Sequence, residues 1–459
     1  MYLPQGRYLW YYGIMLFRST HSGELLVSFK EAVLDCLPPD GGLYVPDKVT
    51  DIRQLFLYMN EETSFPELAA AVTPSLLESD LNPYSAARIA ESAFNFEPEL
   101  IRLDNDFSLL NLYNGPTGLF KDFGIAFFAA VLEELQKSGR LQAGHSLVLA
   151  ATHGDTGASM AHAFRGRKGI NVVLVYPSGP IRGLDPAAFV PNGGNIIPVQ
   201  VQGSLDDCQR LVEGAMSDRA FAARYNITCA NSINPARLLP QTFYFLYAFN
   251  QIKNRLSGAL AFSVPCGNFG NLIAGLYAWK FGMPVNGFIA AMNANNALGD
   301  FIRGEGFALG KPFAPRPLIN TQSPALDVAV PSNLNRLESF YQEAPAVMRN
   351  MVYPASINDE LTLRTIEQVW KKYGICIDSH TAVAFAAAEQ TAAQKNWKGY
   401  YHTVVLATRH YAREAQLVGK LTGQTIPETF ASLQNTVEPI AVIPPNLDAF
   451  EGIIAHCGV

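Results

Sequence analysis

Past residue 100 the chain shows short apolar runs, each closed off by glycine, proline or small polar residues. They fall at 146–151, 170–176, 196–201, 260–264, 287–292 and 403–408. Runs of this length without polar alternation predict strands buried on both faces. Stretches with apolar residues at helical spacing separate several of them, at 120–137, 205–221, 234–253, 271–280 and 382–394. Strands alternating with helices predict an α/β architecture with mainly parallel sheets. Ahead of this region, 27–34 reads as an amphipathic helix with Ser28 as N-cap and Glu31 at the capping-box position. Residues 51–59, 65–72 and 85–94 also read as helices. A small, mostly helical N-terminal domain is expected over 1–95, with the α/β core over 96–459. The proline-rich stretch 313–324 reads as a surface connection.

Composition narrows the class. The 459 residues are 49% hydrophobic and 16% charged, which suits a large globular enzyme of more than one domain. The net charge of −6 comes without a basic stripe, which argues against nucleic acid as a partner. Six cysteines, at 36, 208, 229, 266, 376 and 457, lie far apart with no Cys-x-x-Cys pair. Neither a metal site nor a disulfide framework is suggested, and reduced thiols in a cytoplasmic protein are expected. The apolar run 8–17 is too short to span a bilayer and lacks a cleavage site, so no membrane role is expected. An over-extended start, with Met15 as the true first residue, fits this run as well.

Four motifs carry chemistry. In Asn114-Gly115-Pro116-Thr117-Gly118-Leu119-Phe120-Lys121 a Gly-Pro turn opens a helix whose apolar face carries Phe120, Phe123, Phe127, Val131 and Leu135. Lys121 falls in the first turn between aromatics. A lysine desolvated there is an amine nucleophile for a carbonyl, whereas an exposed one is ordinary surface. In Pro265-Cys266-Gly267-Asn268-Phe269-Gly270-Asn271, a strand-to-helix turn leaves N–H groups free for a phosphate, or simply needs glycine for its geometry. In Thr152-His153-Gly154-Asp155-Thr156-Gly157, a polar loop offers donors to a small anion such as a carboxylate, or caps a helix through Asp155 or Thr156. Thr408, ending a strand, places a hydroxyl where a ligand nitrogen can meet it. The Gly-x-Gly-x-x-Gly and Gly-x-x-x-x-Gly-Lys-Ser/Thr loops are absent, which weighs against a dehydrogenase or an ATPase. An amine for an aldehyde, a phosphate cradle and a partner for a ring nitrogen together suggest pyridoxal 5'-phosphate.

On these residues the chain resembles the threonine synthase family of the pyridoxal-phosphate fold type II enzymes. The matching stretches are 27–45, 115–124, 154–157, 193–208, 231–241, 264–275, 323–334 and 378–383, in the same order. The resemblance implies two parallel-sheet α/β lobes closing over the cofactor, with Lys121 as its Schiff-base lysine and proton shuttle. It implies that Gly267, Asn268, Phe269, Gly270 and Asn271 hold the cofactor phosphate and that Thr408 bonds the ring nitrogen. The implied reaction converts O-phosphohomoserine and water to threonine and phosphate. Thr117, His153, Asp155, Thr156, Asn234, Arg237 and His410 are the expected substrate-side residues, Arg237 as the candidate for the substrate phosphate. A homodimer or a monomer is compatible with the sequence.

The chain also departs from the family's pattern. Asn114 stands for histidine, His153 for serine, Pro235 for tryptophan, Asn296 for aspartate and Ser379 for proline. Arg409-His410-Tyr411-Ala412-Arg413 replaces an Ala-His-Pro-Ala-Lys run. These changes spare the implied cofactor residues and fall on the substrate side. The rival readings are a related lyase that eliminates phosphate or takes another activated amino acid, and a non-catalytic ligand-binding protein on the same fold.

Overall fold

The computed structural model describes residues 15–77, 80–139, 141, 146–179, 181–182, 188–190, 193–307, 309–427 and 436–456. Most of the N-terminal apolar run lies outside these residues. The first unit holds a two-stranded sheet, Phe17–Ser19 against Tyr44–Pro46, and the helices Phe29–Asp35, Leu55–Tyr58, Phe65–Leu77 and Pro83–Ala93. The capping box of the first helix forms as expected: Ser28 accepts from the Glu31 N–H, and Glu31 Oε2 accepts from the Ser28 N–H. The helix expected over 51–59 shrinks to one turn.

Two sheets carry the rest. In the larger, the strand order is Val352–Ser356, Gly287–Met292, Ala259–Pro265, Tyr401–Ala407, Phe107–Asn111, Glu99–Arg102. All neighbours are parallel except the last pair. The smaller sheet, Ala441–Ile443, Ile196–Val201, Ile170–Pro177, Ser146–Ala151, Ile227–Cys229, is parallel throughout. All six strands expected from the sequence form. Those not foreseen lack a long apolar run: Phe107–Asn111 is interrupted by Ser108 and Asn111, Glu99–Arg102 is an edge with exposed charged ends, Val352–Ser356 is an edge carrying Pro354, and Ile227–Cys229 and Ala441–Ile443 have three residues each. Two expected helices are each broken in two. Asp218 ends Leu205–Ser217 and caps Arg219–Arg224, and Leu239-Pro240 separates Pro235–Leu238 from Gln241–Ile252.

This topology positions the site. Parallel strands send all their outgoing loops to one edge. Ala259–Pro265, Tyr401–Ala407 and Phe107–Asn111 are consecutive neighbours, so the segments after each emerge side by side. A backbone ladder ties two of them: Leu112 N–H donates to the Ala407 carbonyl, Phe120 N–H to Thr408, and His410 N–H to Gly118. Behind them lies an aromatic cluster in which Phe123 meets Phe65 at 5.2 Å, Phe96 at 4.8 Å and Tyr244 at 5.7 Å between ring centroids. Phe65, Phe94 and Phe96 belong to the N-terminal unit or the segment leaving it, so that unit and the core share one interior. No helix among the described residues is long and apolar enough to cross a membrane.

Candidate active site

Lys121 is the first residue of the helix Lys121–Lys137. The helix packs closely against the Arg237 backbone, since a Cβ on Gly124 would meet the Arg237 carbonyl oxygen at 2.4 Å. The Gly-Pro turn ahead of it is held from inside. Asp122 accepts from the Thr117 N–H at 2.9 Å and from the Thr117 hydroxyl at 2.7 Å, and that hydroxyl also meets Ser159 Oγ at 3.0 Å. Thr117, expected on the substrate side, therefore has its hydroxyl committed to positioning the loop.

The walls around Lys121 differ from the expectation. Phe123 turns into the aromatic core, and Phe120 stands 6.0 Å from Nζ. The near neighbours are charged. Lys121 Nζ lies 3.6 Å from Asp155 Oδ2, Arg413 Nη1 lies 3.2 Å from Asp155 Oδ1, and Arg409 Nη1 lies 3.7 Å from Oδ2. Asp155 comes from the smaller sheet and both arginines follow a strand of the larger one, so the ion pairs cross the cleft. Burial and the charges of Arg409, Arg237 and Arg413 push the lysine pKa down, against the opposing pull of Asp155. For Asp155, burial alone would raise the carboxyl, but Arg409, Lys121, Arg413 and His380 outweigh it and hold it well below the usual carboxylate range.

Asp155 opens the helix Asp155–Phe164, whose N-cap is Gly154 at φ 138°, a conformation open to glycine. The cap is therefore neither Asp155 nor Thr156. Instead Thr152 Oγ1 accepts from the Gly154 and Gly157 N–H groups, both at 2.9 Å. Thr156 follows in the first turn. The His153 side chain is largely open to solvent, and partial desolvation by its surroundings together with Lys121 lowers its pKa against Asp206.

The second glycine loop is built differently. None of the backbone N–H groups from Gly267 to Leu272 has a protein acceptor among the described residues. They gather at the start of the helix Gly270–Lys280, where Phe269 takes a left-handed φ of 59°, rare for a bulky residue. Asn271 Nδ2 is buried without a partner, while its Oδ1 accepts from Tyr244 at 2.6 Å. Asn268 Oδ1 accepts from Ser332 N–H and Oγ, which fixes the amide and leaves its Nδ2 and its backbone N–H as donors. A Cβ on Gly267 would meet the Ala325 carbonyl oxygen at 2.8 Å. Six free N–H groups and an orphaned amide donor fit a phosphate group. Thr408 is buried next to the Lys121 segment, with its carbonyl bonded to Phe120. The donor set fits pyridoxal phosphate.

Among the expected substrate residues, Asn234 is corrected, while Arg237 remains a buried candidate whose Nε has no partner among the described residues. Asn234 is wholly buried: Oδ1 caps the Ala236 N–H, while Nδ2 donates to the carbonyls of Val33 and Cys229, both at 2.9 Å. It joins the N-terminal unit to the smaller sheet and has no donor left for a substrate. Arg237 is 3% accessible, with Nη1 donating to the Ala230 carbonyl. It acts on Lys121 through charge from behind the helix. His410 Nδ1 accepts from the Ala412 N–H at 3.0 Å, and its ring packs on Tyr113 and Tyr411.

The sequence flagged Arg409, Arg413 and Ser379 as departures but gave them no role. Ser379 donates its N–H and its hydroxyl to Glu414, both at 2.9 Å. A proline there would lack the N–H. Glu414 also adjoins His380, whose Nδ1 donates to Asp378 at 2.7 Å and whose Nε2 accepts from the Ala325 N–H at 3.1 Å. Both ring nitrogens are thus taken by protein groups. The available signal was positional: charged residues directly after a strand ending at the carboxyl edge.

Known proteins share this fold. Residues 101–408 match the family model described as pyridoxal-phosphate dependent enzyme, and 16–94 match that of the threonine synthase N terminus. A threonine synthase of Serratia marcescens is 32% identical over 87% of this chain and 89% of its own length, and that of Escherichia coli K12 is 33% identical over 87% and 89%. The solved threonine synthase structure from Escherichia coli superposes with a TM-score of 0.84 at 30% identity, covering 96% of this chain and 100% of its own. The pyridoxal-phosphate-bound threonine synthase of Brucella melitensis gives 0.82 at 27%, covering 96% and 99%. Matched in order from the N-terminal unit through the core, the chain belongs to the threonine synthase family of pyridoxal-phosphate dependent enzymes.

Proposed function

We propose that this protein converts O-phosphohomoserine and water to threonine and phosphate, in the cytoplasm. The observation that carries the reading is the pairing of a desolvated Lys121 with a glycine loop whose N–H groups are free for a phosphate. Pyridoxal phosphate, when bound, supplies the electron sink that makes protons next to an amino-acid nitrogen removable.

The chain's own residues divide the remaining work. The N–H groups of 267–272 and Asn271 Nδ2 would hold the cofactor phosphate, and the Thr408 hydroxyl would partner the ring nitrogen. A hydroxyl partner favours a neutral ring nitrogen more than a carboxylate would. Lys121 Nζ, its pKa lowered by burial and the neighbouring arginines, would hold the cofactor aldehyde and, with substrate bound, serve as the base at Cα and Cβ. Asp155 holds that nitrogen in place and keeps a counter-charge beside it as it gains a proton. The Cγ–O bond breaks as phosphate departs, and Cγ gains a proton. Water gives its hydroxyl to Cβ and a proton to Cα. Of the two protons lifted from carbon, one returns to Cγ and the other leaves with phosphate.

Product analysis of cofactor-loaded protein with O-phosphohomoserine tests this. Threonine and phosphate in equal amounts are expected. Phosphate accompanied by a 2-oxo acid would move the assignment to a lyase that adds no water at Cβ. Lys121→Ala should lower turnover by several orders of magnitude, and normal turnover in that variant overturns the reading.

A further inference from the structure

The Arg409 side chain has no hydrogen-bond partner among the described residues. Its Nη1 lies 3.7 Å from Asp155 and 4.0 Å from Glu414, both beyond hydrogen-bond reach. Its Nε is buried with no partner, and only 18% of the side chain is accessible. The two carboxylates that face it are already engaged. Asp155 Oδ1 takes Arg413 Nη1 at 3.2 Å, and Glu414 takes the N–H and hydroxyl of Ser379. A planar fork of five donors in a water-poor cleft is costly to leave unmade.

The fork is nonetheless held in place. Arg409 forms an antiparallel bridge with Leu119, between the bonds Phe120 N–H to Thr408 and His410 N–H to Gly118. Its backbone is thereby fixed to the segment that carries Lys121. Lys121 Nζ and Arg409 Nη1 both approach the same oxygen, Asp155 Oδ2. One small ligand can therefore touch both.

Charge selects the ligand. Even with Lys121 engaged by the cofactor, Arg409 and Arg413 flank the single carboxylate of Asp155. Glu414 offsets them only in part, since burial and the neighbouring Asp378 favour its neutral form. The surplus suits a dianion better than a carboxylate. The other anionic groups have separate donors: the cofactor phosphate at 267–272, and a substrate carboxylate at the Asp155 and Thr156 N–H groups, which have no protein acceptor among the described residues.

We propose that Arg409 anchors the phosphate group of the substrate and is a specificity-determining residue of this chain, an inference that rests on the function proposed above. The position is one at which the chain departs from the family's run, so the anchor is a property of this sequence.

The test measures binding of two probes, inorganic phosphate and L-homoserine, to cofactor-loaded protein by calorimetry. Arg409→Ala should weaken phosphate binding by roughly 10- to 100-fold while homoserine, which lacks the phosphate, changes less than about twofold. Arg409→Lys, which keeps the charge and guards against misfolding of the alanine variant, should recover part of the phosphate affinity. Equal loss for both probes would make Arg409 a general support of the cleft and overturn the proposal, as would unchanged phosphate binding. Should the wild type make no threonine, the activity reading fails by itself. The phosphate titration still tests the anchor.

Discussion

Two glycine-rich turns leave the carboxyl edges of two parallel sheets, and they do opposite things. At 267–271 the backbone itself is the binding surface: free N–H groups, a left-handed Phe269 and the unpartnered amide of Asn271, with no carboxylate among them. At 152–157 the Thr152 hydroxyl satisfies two of the loop's N–H groups, and the first helical residue is Asp155. That one carboxylate draws Lys121, Arg409 and Arg413 across the cleft. The first turn attracts anions, whereas the second collects cations, which in turn create a place for an anion at their far side. A single side chain decides which.

Removing that side chain should have the largest effect. Asp155→Asn leaves three cations facing one another, and a cost of about 3 kcal/mol is expected from breaking a largely buried charge pair. The sign with pH follows from the depressed carboxyl. Its contribution is fully present above the unfolded value of about 3.9 and is lost as pH falls through the lower folded value. Denaturant unfolding should therefore show a constant gap between wild type and variant near neutrality, narrowing below about pH 4. A gap that stays constant into that range breaks the comparison.

The two turns also differ in how much the sequence disclosed. The 267–271 loop is built from consecutive residues, so its Gly-Asn-Phe-Gly-Asn string shows the phosphate cradle locally. Strands at 146–151, 196–201 and 287–292 were equally legible, because burial on both faces writes an uninterrupted apolar run. The cation cluster was not legible, because its members are 121, 155, 409 and 413 and only the sheet order brings them together. Asn234 misled for the opposite reason: within a family-like stretch that ends in Arg237 it reads as ligand-facing, yet its amide satisfies carbonyls from Val33 and Cys229 that no local pattern announces. Phe123, too, reads as a wall for Lys121 until the N-terminal unit supplies the aromatic cluster that draws it inward.

A smaller effect sharpens the anion-attracting side. Asn271→Ala removes a buried side-chain donor that has no partner among the described residues, and leaves the six N–H groups of the turn intact. A loss of about 1–2 kcal/mol, roughly 5- to 30-fold in cofactor affinity, is expected. Equilibrium dialysis of pyridoxal phosphate against the Lys121→Ala variant, with and without the second change, reads this free of covalent capture. If the affinity is unchanged, the backbone alone makes the cradle and Asn271 serves only Tyr244.

The smallest expected effect tests whether the cation-collecting side tunes the lysine as well as surrounding it. Uptake of the aldehyde by cofactor-free protein requires a neutral amine, so its rate should rise with pH, with a midpoint below the ordinary lysine value of about 10.4. Arg413→Ala removes a neighbouring positive charge, which favours the protonated amine and moves the midpoint up. Asp155→Asn removes the negative charge that favours protonation and moves it down. At pH 7 each change amounts to a factor of a few in the uptake rate, in opposite directions. Visible absorbance after mixing measures both. Because the two substitutions disturb the same ion pair, a loosened cleft would shift both midpoints the same way. Only charge acting on Lys121 moves them apart.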